Sequence, residues 1–238
     1  MTSAETVPAE TQSGVRRVPL RGVRGMIADR MVKSLQEAAQ LTHHATADAS
    51  ALVEAKTAAE AAGVKISIED LLMARTVTAL RRHPDINGTV EGREVHLRTA
   101  IHLGVAIALP GNLLVAPAIF DAQDKSALEL REARRDLAAR AKTNKLTVTE
   151  MTGGTFTVSN LGLTRVEHFT PIIASPQIAI LGLGRIVEQP ARSPTGDIAW
   201  RPMLGLSLTF DHRAIDGGPA AAFLTDLCET IEGAIDWQ

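Results

Sequence analysis

The sequence is poor in the features that mark several classes of protein. Its single cysteine, Cys228, lies in an apolar pattern near the C-terminus, so no internal disulfide can form. The 25 basic and 27 acidic side chains leave a net charge of −2 and are spread along the 238 residues. A protein that binds a phosphate backbone concentrates positive charge on one surface, and this sequence shows no such concentration. We therefore expect no nucleic-acid partner.

Long hydrophobic runs are also missing. No segment offers the roughly 20 uninterrupted apolar residues of a membrane span, and the first 14 residues lack the basic and then apolar pattern of a signal peptide. These absences predict a cytoplasmic protein with no membrane partner. Six histidines lack cysteine or carboxylate partners at metal-ligand spacing, so no metal is expected at His43, His44, His83, His96, His102 or His168.

The composition is that of a folded protein, with 45% hydrophobic and 22% charged residues. Residues 1–16 are rich in Ser, Thr, Glu, Pro and Ala and have little to bury, which predicts a disordered N-terminal tail. Residues 17–238 are then expected to form one domain.

Hydrophobic periodicity predicts helices and strands along that domain. Helical spacing of apolar residues covers 25–39, 50–62, 67–82, 126–142 and 218–235, with Ser50 and Ser67 as expected N-caps. Strands are predicted over 41–49, 101–109, 113–119, 155–159, 176–186 and 198–210. Because strands cluster late in the chain, we expect a single mixed α/β domain with a largely non-local sheet. One group of charged side chains is expected to be solvated: Glu129, Arg131, Glu132, Arg134 and Arg135.

The segment 207–218 combines a predicted strand with ionisable groups and two glycines. Histidine has an ordinary pKa of about 6.5, so His212 can accept and return a proton near neutrality. Asp216, four residues on, can hold the loop or the imidazole. The residue types fit a salt-bridged turn equally well, so catalysis and a structural turn both stay open.

The segment 153–162 ends a predicted strand with Ser159 and Asn160 before a glycine. Hydroxyl and amide donors of this kind can stabilise an oxyanion. Ser-Asn-x-Gly is also good chemistry for an ordinary β-turn, and that alternative remains.

Taken in order, these segments resemble the catalytic domain of the dihydrolipoamide acyltransferases of 2-oxo acid dehydrogenase complexes. The resemblance rests on PLRGVRGMIADRM (19–31), LGVAIALP (103–110), GGTFTVSNLG (153–162), FTPIIASPQIAILGLG (169–184) and DHRAIDGG (211–218). It implies a chloramphenicol acetyltransferase-like α/β fold, a mixed-sheet sandwich with flanking helices that assembles as a homotrimer. It also implies transfer of an acyl group between the thiol of coenzyme A and a dihydrolipoyl thiol.

The resemblance assigns roles to three residues. His212 would be the general base, Ser159 would donate to the tetrahedral oxyanion, and the family's histidine usually comes from the neighbouring subunit. Asp216 would hold the catalytic loop through an ion pair with an arginine, for which the candidates are Arg21, Arg24 and Arg213.

Contacts to coenzyme A also carry over from the family by position. They fall on Lys56, Ser67, Asn160, Leu163, Gly184 and Ile186, with Lys56 in place of a common arginine. The family chemistry requires no metal.

The sequence departs from the family in four places. The segment before residue 17 is too short for a lipoyl domain, which leaves two alternatives, a fragment of a longer protein and a freestanding enzyme. We expect the second, an enzyme that takes its acyl group in trans from a lipoyl domain, an acyl carrier protein or coenzyme A. Gln40-Leu41 replaces His-Phe, PGNLLVAP replaces PDGLVVP, and the C-terminus reads IEGAIDWQ. A trimer is still expected, whereas a 24- or 60-subunit cage stays undecided.

Two other functions compete with this interpretation. A small-molecule O- or N-acetyltransferase of the chloramphenicol type would retain His212 and need an acceptor pocket. A non-catalytic trimeric scaffold would have no use for His212, Asp216 and Ser159 together.

Overall fold

The computed structural model describes residues 11–12, 14–111, 113–192 and 196–237. Its α-helices, numbered along the chain, are α1 Gly22–Glu37, α2 Ser50–Ala61, α3 Ile68–Arg82, α4 Ala127–Lys142, α5 Val148–Thr152 and α6 Gly217–Glu232. The strands are β1 Thr11–Gln12, β2 Val15–Arg16, β3 Gln40–Asp48, β4 Gly88–Glu91, β5 Glu94–Leu97, β6 Leu103–Val105, β7 Ile107–Leu109, β8 Leu113–Val115, β9 Ala118–Ile119, β10 Phe156–Asn160, β11 Ala179–Arg192 and β12 Ile198–Asp211.

Six of these strands form one mixed sheet in the order β3-β12-β11-β10-β6-β9. β10 runs parallel to both of its neighbours, whereas β12 is antiparallel to β3 and to β11. The pairs β1–β2, β4–β5 and β7–β8 form separate two-stranded sheets. The predicted mixed α/β fold with a non-local sheet and flanking helices is confirmed.

The two faces of the sheet differ because side chains alternate along each strand. On β12, the even-numbered residues Leu206, Leu208 and Phe210 are fully buried in the core that α2, α3 and α6 share with the sheet. The odd-numbered Ser207 and Thr209 face the other way, where Thr209 shares a hydrogen bond of 2.8 Å with Thr42 of β3. The sheet therefore has one apolar face covered by helices and one polar face.

Residues 161–178 cross the polar face. The Phe169 amide donates to the Ser207 hydroxyl at 3.3 Å, and the Thr157 hydroxyl donates to the Gln177 side chain at 2.7 Å. Glycines of β11 and β12 leave room for this crossing segment: a Cβ on Gly182 would lie 2.7 Å from the Phe169 ring. The polar face is thus covered by chain that approaches the sheet backbone closely.

Capping boxes mark the starts of two of the five predicted helices, α3 and α4. The expected cap at Ser67 is confirmed as a full capping box with Asp70, and α4 and α5 begin with boxes of the same kind. The cap predicted at Ser50 is wrong: Ala49 occupies the cap position, and the Asp48 carboxylate accepts from the Ser50 amide at 2.9 Å. Helix α5 was not predicted, because five residues are too few to show helical periodicity.

Two further expectations meet the structure only in part. The runs 101–109 and 113–119 each break into two short strands, because β6 and β9 join the main sheet while β7 and β8 pair with each other. Most of the predicted tail, residues 1–16, lies outside the described residues, so its boundary stays a prediction. In the part of the chain that the structure describes, no helix combines the length and the apolar character of a membrane span.

Phe223 on α6 provides a test of the helix-covered face. Its ring is fully buried and lies 5.9 Å from the ring of Phe156 on β10. We expect Phe223→Ala to lower the free energy of unfolding by about 3–5 kcal/mol, because it removes buried surface and leaves a cavity. The measurement is urea unfolding at fixed protein concentration. Val148→Ala, at an exposed position, is the control and should change stability by less than about 0.5 kcal/mol; equal losses in the two variants would contradict the packing.

Candidate active site

His212 lies on the turn that follows β12. Its amide donates to the carbonyl of Ala39 at 2.9 Å, and its ring contacts the Phe210 ring at a centroid distance of 5.8 Å. The side chain is 43% exposed, and Nδ1 lies 3.5 Å from a carboxylate oxygen of Asp216. The imidazole is therefore accessible to a substrate while its backbone is held on one side by β3.

Asp211 is the buried carboxylate of this turn. It accepts from the Ala39 amide at 3.1 Å and from the Arg213 guanidinium at 2.6 and 3.0 Å. Burial of this carboxyl opposes its ionisation, but the hydrogen bonds from Arg213 and Ala39 outweigh burial and lower its pKa below the ordinary value. Asp211 is therefore an ionised carboxylate inside the turn.

The ion pair expected for Asp216 takes a different form. Arg213, one of its three candidate partners, pairs with Asp211 instead, and Arg24 donates to the carbonyl of Gly111 at 3.0 Å. The Asp216 carboxylate is 84% exposed and contacts His212. In this chain the buried Asp–Arg pair is thus made by Asp211 and Arg213. The sequence argument missed it because a contact between residues i and i+2 depends on the conformation of the turn.

Ser159 lies near the end of β10, which is separated from β12 by β11. The register places Ser159 beside Gly182 of β11, which in turn is paired with Ser207 of β12. Five residues and two strand spacings then separate Ser159 from His212, a distance of about 15–20 Å. Reacting groups must come within about 3–3.5 Å of one carbonyl carbon. A single chain therefore does not bring the proposed base and the proposed oxyanion donor together.

Lys56 and Ser67, two predicted coenzyme A contacts, line one basic groove of about 660 Å³ where α2, α3 and α4 meet. The groove has five basic and two acidic side chains: Lys56, Lys65, Arg131, Arg134 and Arg135 against Glu60 and Asp70. The Ser67 hydroxyl donates to Asp70 at 2.5 Å as part of the capping box of α3. An excess of positive charge in a groove suits a phosphate-bearing ligand.

The arginines of α4 were expected to be solvated, and for two of them this was wrong. Arg134 donates to Asp70 at 2.8 Å and lies 3.2 Å from Glu69, and Arg131 donates to the carbonyl of Lys65. Both lie partly buried in the groove wall, whereas Arg135 is exposed. The sequence signal that could have identified them is their spacing: Arg131, Arg134 and Arg135 share one helix face at i, i+3 and i+4.

The other four predicted coenzyme A contacts cluster near the end of β10. Asn160 pairs in register with Leu183, beside Gly184, and its side chain accepts from the Gly162 amide at 2.7 Å. Leu163 is fully exposed, and Ile186 lies two residues beyond Gly184 on β11. These residues are therefore neighbours of Ser159, not of His212.

Helix directions place the basic groove at the Ser159 end of the sheet. Helix α6 starts beside the His212 turn, and near its far end Glu232 accepts from the Asp48 amide, where β3 ends. Helix α3 runs antiparallel to it, since Arg82 contacts Asp226 and Arg75 donates to the Ala234 carbonyl. The N-terminus of α3, and with it Ser67, therefore lies beyond the end of α6. One chain carries two half-sites at opposite ends.

Comparison with known proteins relates the chain to one family of acyltransferases. The sequence matches the 2-oxoacid dehydrogenases acyltransferase (catalytic domain) family over residues 12–237. It is 38% identical over 227 residues to the dihydrolipoyllysine-residue acetyltransferase component of the acetoin cleaving system of Bacillus subtilis, covering 93% of this chain and 56% of that protein. It is also 38% identical to the succinyltransferase component of the 2-oxoglutarate dehydrogenase complex of Saccharomyces cerevisiae, covering 91% of this chain and 47% of that protein. The chain thus spans about half the length of these curated relatives.

Solved structures support the same fold. A probable dihydrolipoamide acetyltransferase from Listeria monocytogenes superimposes with a TM-score of 0.87 at 32% identity, over 94% of this chain and 97% of that one. Chloramphenicol acetyltransferase superimposes with a TM-score of 0.55 at 15% identity, over 86% of this chain and 92% of that one. The predicted chloramphenicol acetyltransferase-like fold is confirmed.

Gly184 tests whether the β11 glycines are required by the crossing segment. A Cβ at this position would overlap the backbone carbonyl of Glu167, which has no flexible side chain to move aside. We expect Gly184→Ala to lower the free energy of unfolding by about 1–3 kcal/mol, measured by urea unfolding. Gly218→Ala is the control, because a Cβ there meets no atom within 4 Å. A Gly184→Ala protein as stable as wild type would show that the segment does not need this close approach.

Proposed function

The chain belongs to the 2-oxoacid dehydrogenase acyltransferase family, matching its catalytic domain, and from that premise we propose that it moves a short acyl group between coenzyme A and a protein-bound thiol. The thiol is a dihydrolipoyl group or another carrier-protein thiol, supplied in trans. A cytoplasmic location remains a prediction of the sequence. The basic groove is the observation that carries the proposal, because a thiol bearing several phosphates is the acyl carrier that its charge fits.

His212 supplies the base of the proposed reaction. It accepts the proton of the attacking thiol, and the resulting thiolate adds to the carbonyl carbon of the acyl thioester. Ser159 donates a hydrogen bond to the oxyanion that forms. When the C–S bond to the first carrier breaks, the imidazolium returns its proton to the departing thiolate. Asp216, 3.5 Å from Nδ1, is placed to orient the imidazole.

The groove supplies the proposed binding site for coenzyme A. Lys56, Lys65 and Arg135 present charges to the phosphates, and Arg131 and Arg134 form the wall. Asn160, Leu163, Gly184 and Ile186 lie near Ser159 at the end of β10 and in the paired part of β11, and they remain proposed contacts. The acyl thioester would then reach Ser159 from the groove side. No metal takes part in this scheme.

A homotrimer follows as a proposal from the separation of the half-sites. His212 and Ser159 are too far apart in one chain, so the base must come from a second copy. The N-terminal segment and α1 expose a large apolar surface suited to such a copy: Val18, Leu20, Val23, Met26, Val32 and Leu35. A closed ring of three would complete three identical sites. Whether trimers assemble further into a cage does not follow from this surface.

His212→Ala tests the proposed base. We expect transfer from acetyl-CoA or isobutyryl-CoA to free dihydrolipoamide to fall by about 10²–10⁴-fold, because general base catalysis contributes this much. Turnover is measured as free coenzyme A separated from acyl-CoA by chromatography, because transfer between two thiols leaves the total number of thiols unchanged. His96→Ala, on the exposed β4–β5 hairpin, is the matched control and should retain wild-type turnover. A wild type inactive with every short acyl-CoA and thiol acceptor would refute the proposal, as would full activity in His212→Ala.

Arg135→Glu tests the groove. We expect the KM for coenzyme A to rise about ten-fold with little change in kcat, since the lost interaction with phosphate is worth about 1.5 kcal/mol. Pantetheine, which has the same thiol and no nucleotide, should show no change in KM. The control is Arg81→Glu, which reverses an exposed charge on α3 outside the groove. Equal effects on coenzyme A and pantetheine would contradict a phosphate site.

A further inference from the structure

Asp211, in addition to Asp216, holds the turn that carries His212 against the rest of the molecule. We propose that Asp211 is a positioning residue for His212, acting through Arg213 and the backbone of Ala39. The inference rests on the proposed function, because it concerns the residue assigned there as the base. It adds a role for the two residues that flank the histidine.

The contacts of Asp211 converge on the backbone that carries the imidazole. One carboxylate oxygen accepts both the Ala39 amide at 3.1 Å and the Arg213 amide at 3.0 Å. The Asp211 carbonyl accepts the amides of Ala214 and Ile215, while its own amide donates to Ile178 at 2.8 Å. Every polar group of Asp211 is therefore used to set the path of the chain on either side of His212.

Ala39 links the same turn to β3 from the other side. Its amide donates to the Asp211 side chain, and its carbonyl accepts the His212 amide at 2.9 Å. These two hydrogen bonds hold the Asp211 side chain and the His212 amide, on successive residues, against Ala39. Loss of the Asp211 carboxylate would remove the acceptor of the Ala39 amide, and His212 would be held beyond the end of the β3–β12 ladder by its own amide.

Arg213 keeps the buried carboxylate ionised. Its Nε lies 3.0 Å from both oxygens of Asp211 and its Nη2 lies 2.6 Å from one of them, which is bidentate geometry. The Asp211 side chain is 1% exposed, so without this partner a charge would be left in a site that excludes water. Arg213 is partly exposed, so it forms the solvent-facing side of this ion pair.

Asp211 and Asp216 then have separate tasks. The Asp216 carboxylate contacts the imidazole itself, and Asp211 contacts only backbone and Arg213. A displacement of about 1 Å at the reacting groups can cost about 10²-fold in rate. Loosening the turn should therefore reduce the rate of the chemical step, whereas binding at the distant groove should be unaffected.

The test is steady-state kinetics of the full chain in its native assembly with acetyl-CoA and dihydrolipoamide. Asp211→Asn should lower kcat by about 10–100-fold while KM for acetyl-CoA stays within about two-fold of wild type.

Arg213→Gln keeps the carboxylate and changes a more exposed residue, so it serves if Asp211→Asn does not fold. We expect Arg213→Gln to lower kcat by about ten-fold. The double variant should be little worse than Asp211→Asn, because the two residues act as one unit. Arg213→Lys, which keeps the charge, should recover part of the loss.

The matched control is Glu150→Gln, which breaks a bidentate carboxylate–arginine pair with Arg140 far from the turn. It should leave kcat unchanged. Wild-type kcat in folded Asp211→Asn or Arg213→Gln would overturn the proposal, and so would equal losses in Glu150→Gln or a rise in KM that matches the fall in kcat. If His212→Ala is as active as wild type, the assignment of the base fails, which is a different result from wild-type activity in the Asp211 variants.

Discussion

Strand β12 is the constraint on which the rest of the structure depends. It pairs with β3 and β11 over most of its length, and its alternate residues divide between the apolar core and the polar face. The same strand ends at Asp211, and His212 follows it. Because the position of a strand end is fixed by the ladder behind it, the core that holds Leu206, Leu208 and Phe210 also sets the place of the turn that carries His212.

The antiparallel and parallel pairings together separate the two half-sites. β10 runs parallel to β11 and points away from the end where β12 leaves the sheet, so Ser159 lies level with Ser207, five residues before His212. Helix α3 then places the basic groove on the same side as Ser159. Under the proposed mechanism one chain cannot complete the site, so that mechanism requires a second copy.

The sequence was sufficient to predict features set by local rules. The helix beginning after Ser67 was predicted because a capping box and apolar periodicity coincide there, and the strand 198–210 because it alternates over many residues. Helix α5 escaped prediction because it is one turn long. The pairing of Arg134 with Asp70 joins residues 64 apart, and no local pattern reports a contact of that kind. The Asp211–Arg213 pair was missed for a different reason, since at i, i+2 it depends on the turn conformation.

Packing requires a glycine at position 184, where the sequence predicted a ligand contact. Gly184 was predicted as a contact of coenzyme A, yet its own surroundings already exclude a side chain, because the Glu167 carbonyl lies against it. Gly205 on β12 meets the same carbonyl. The crossing segment therefore rests on two neighbouring strands where neither has a side chain, and it brings Phe169 over Gly182 and Gln177 to Thr157. The Glu167 carbonyl fills the space where a Gly184 side chain would lie, so packing alone requires this glycine whether or not coenzyme A contacts its backbone.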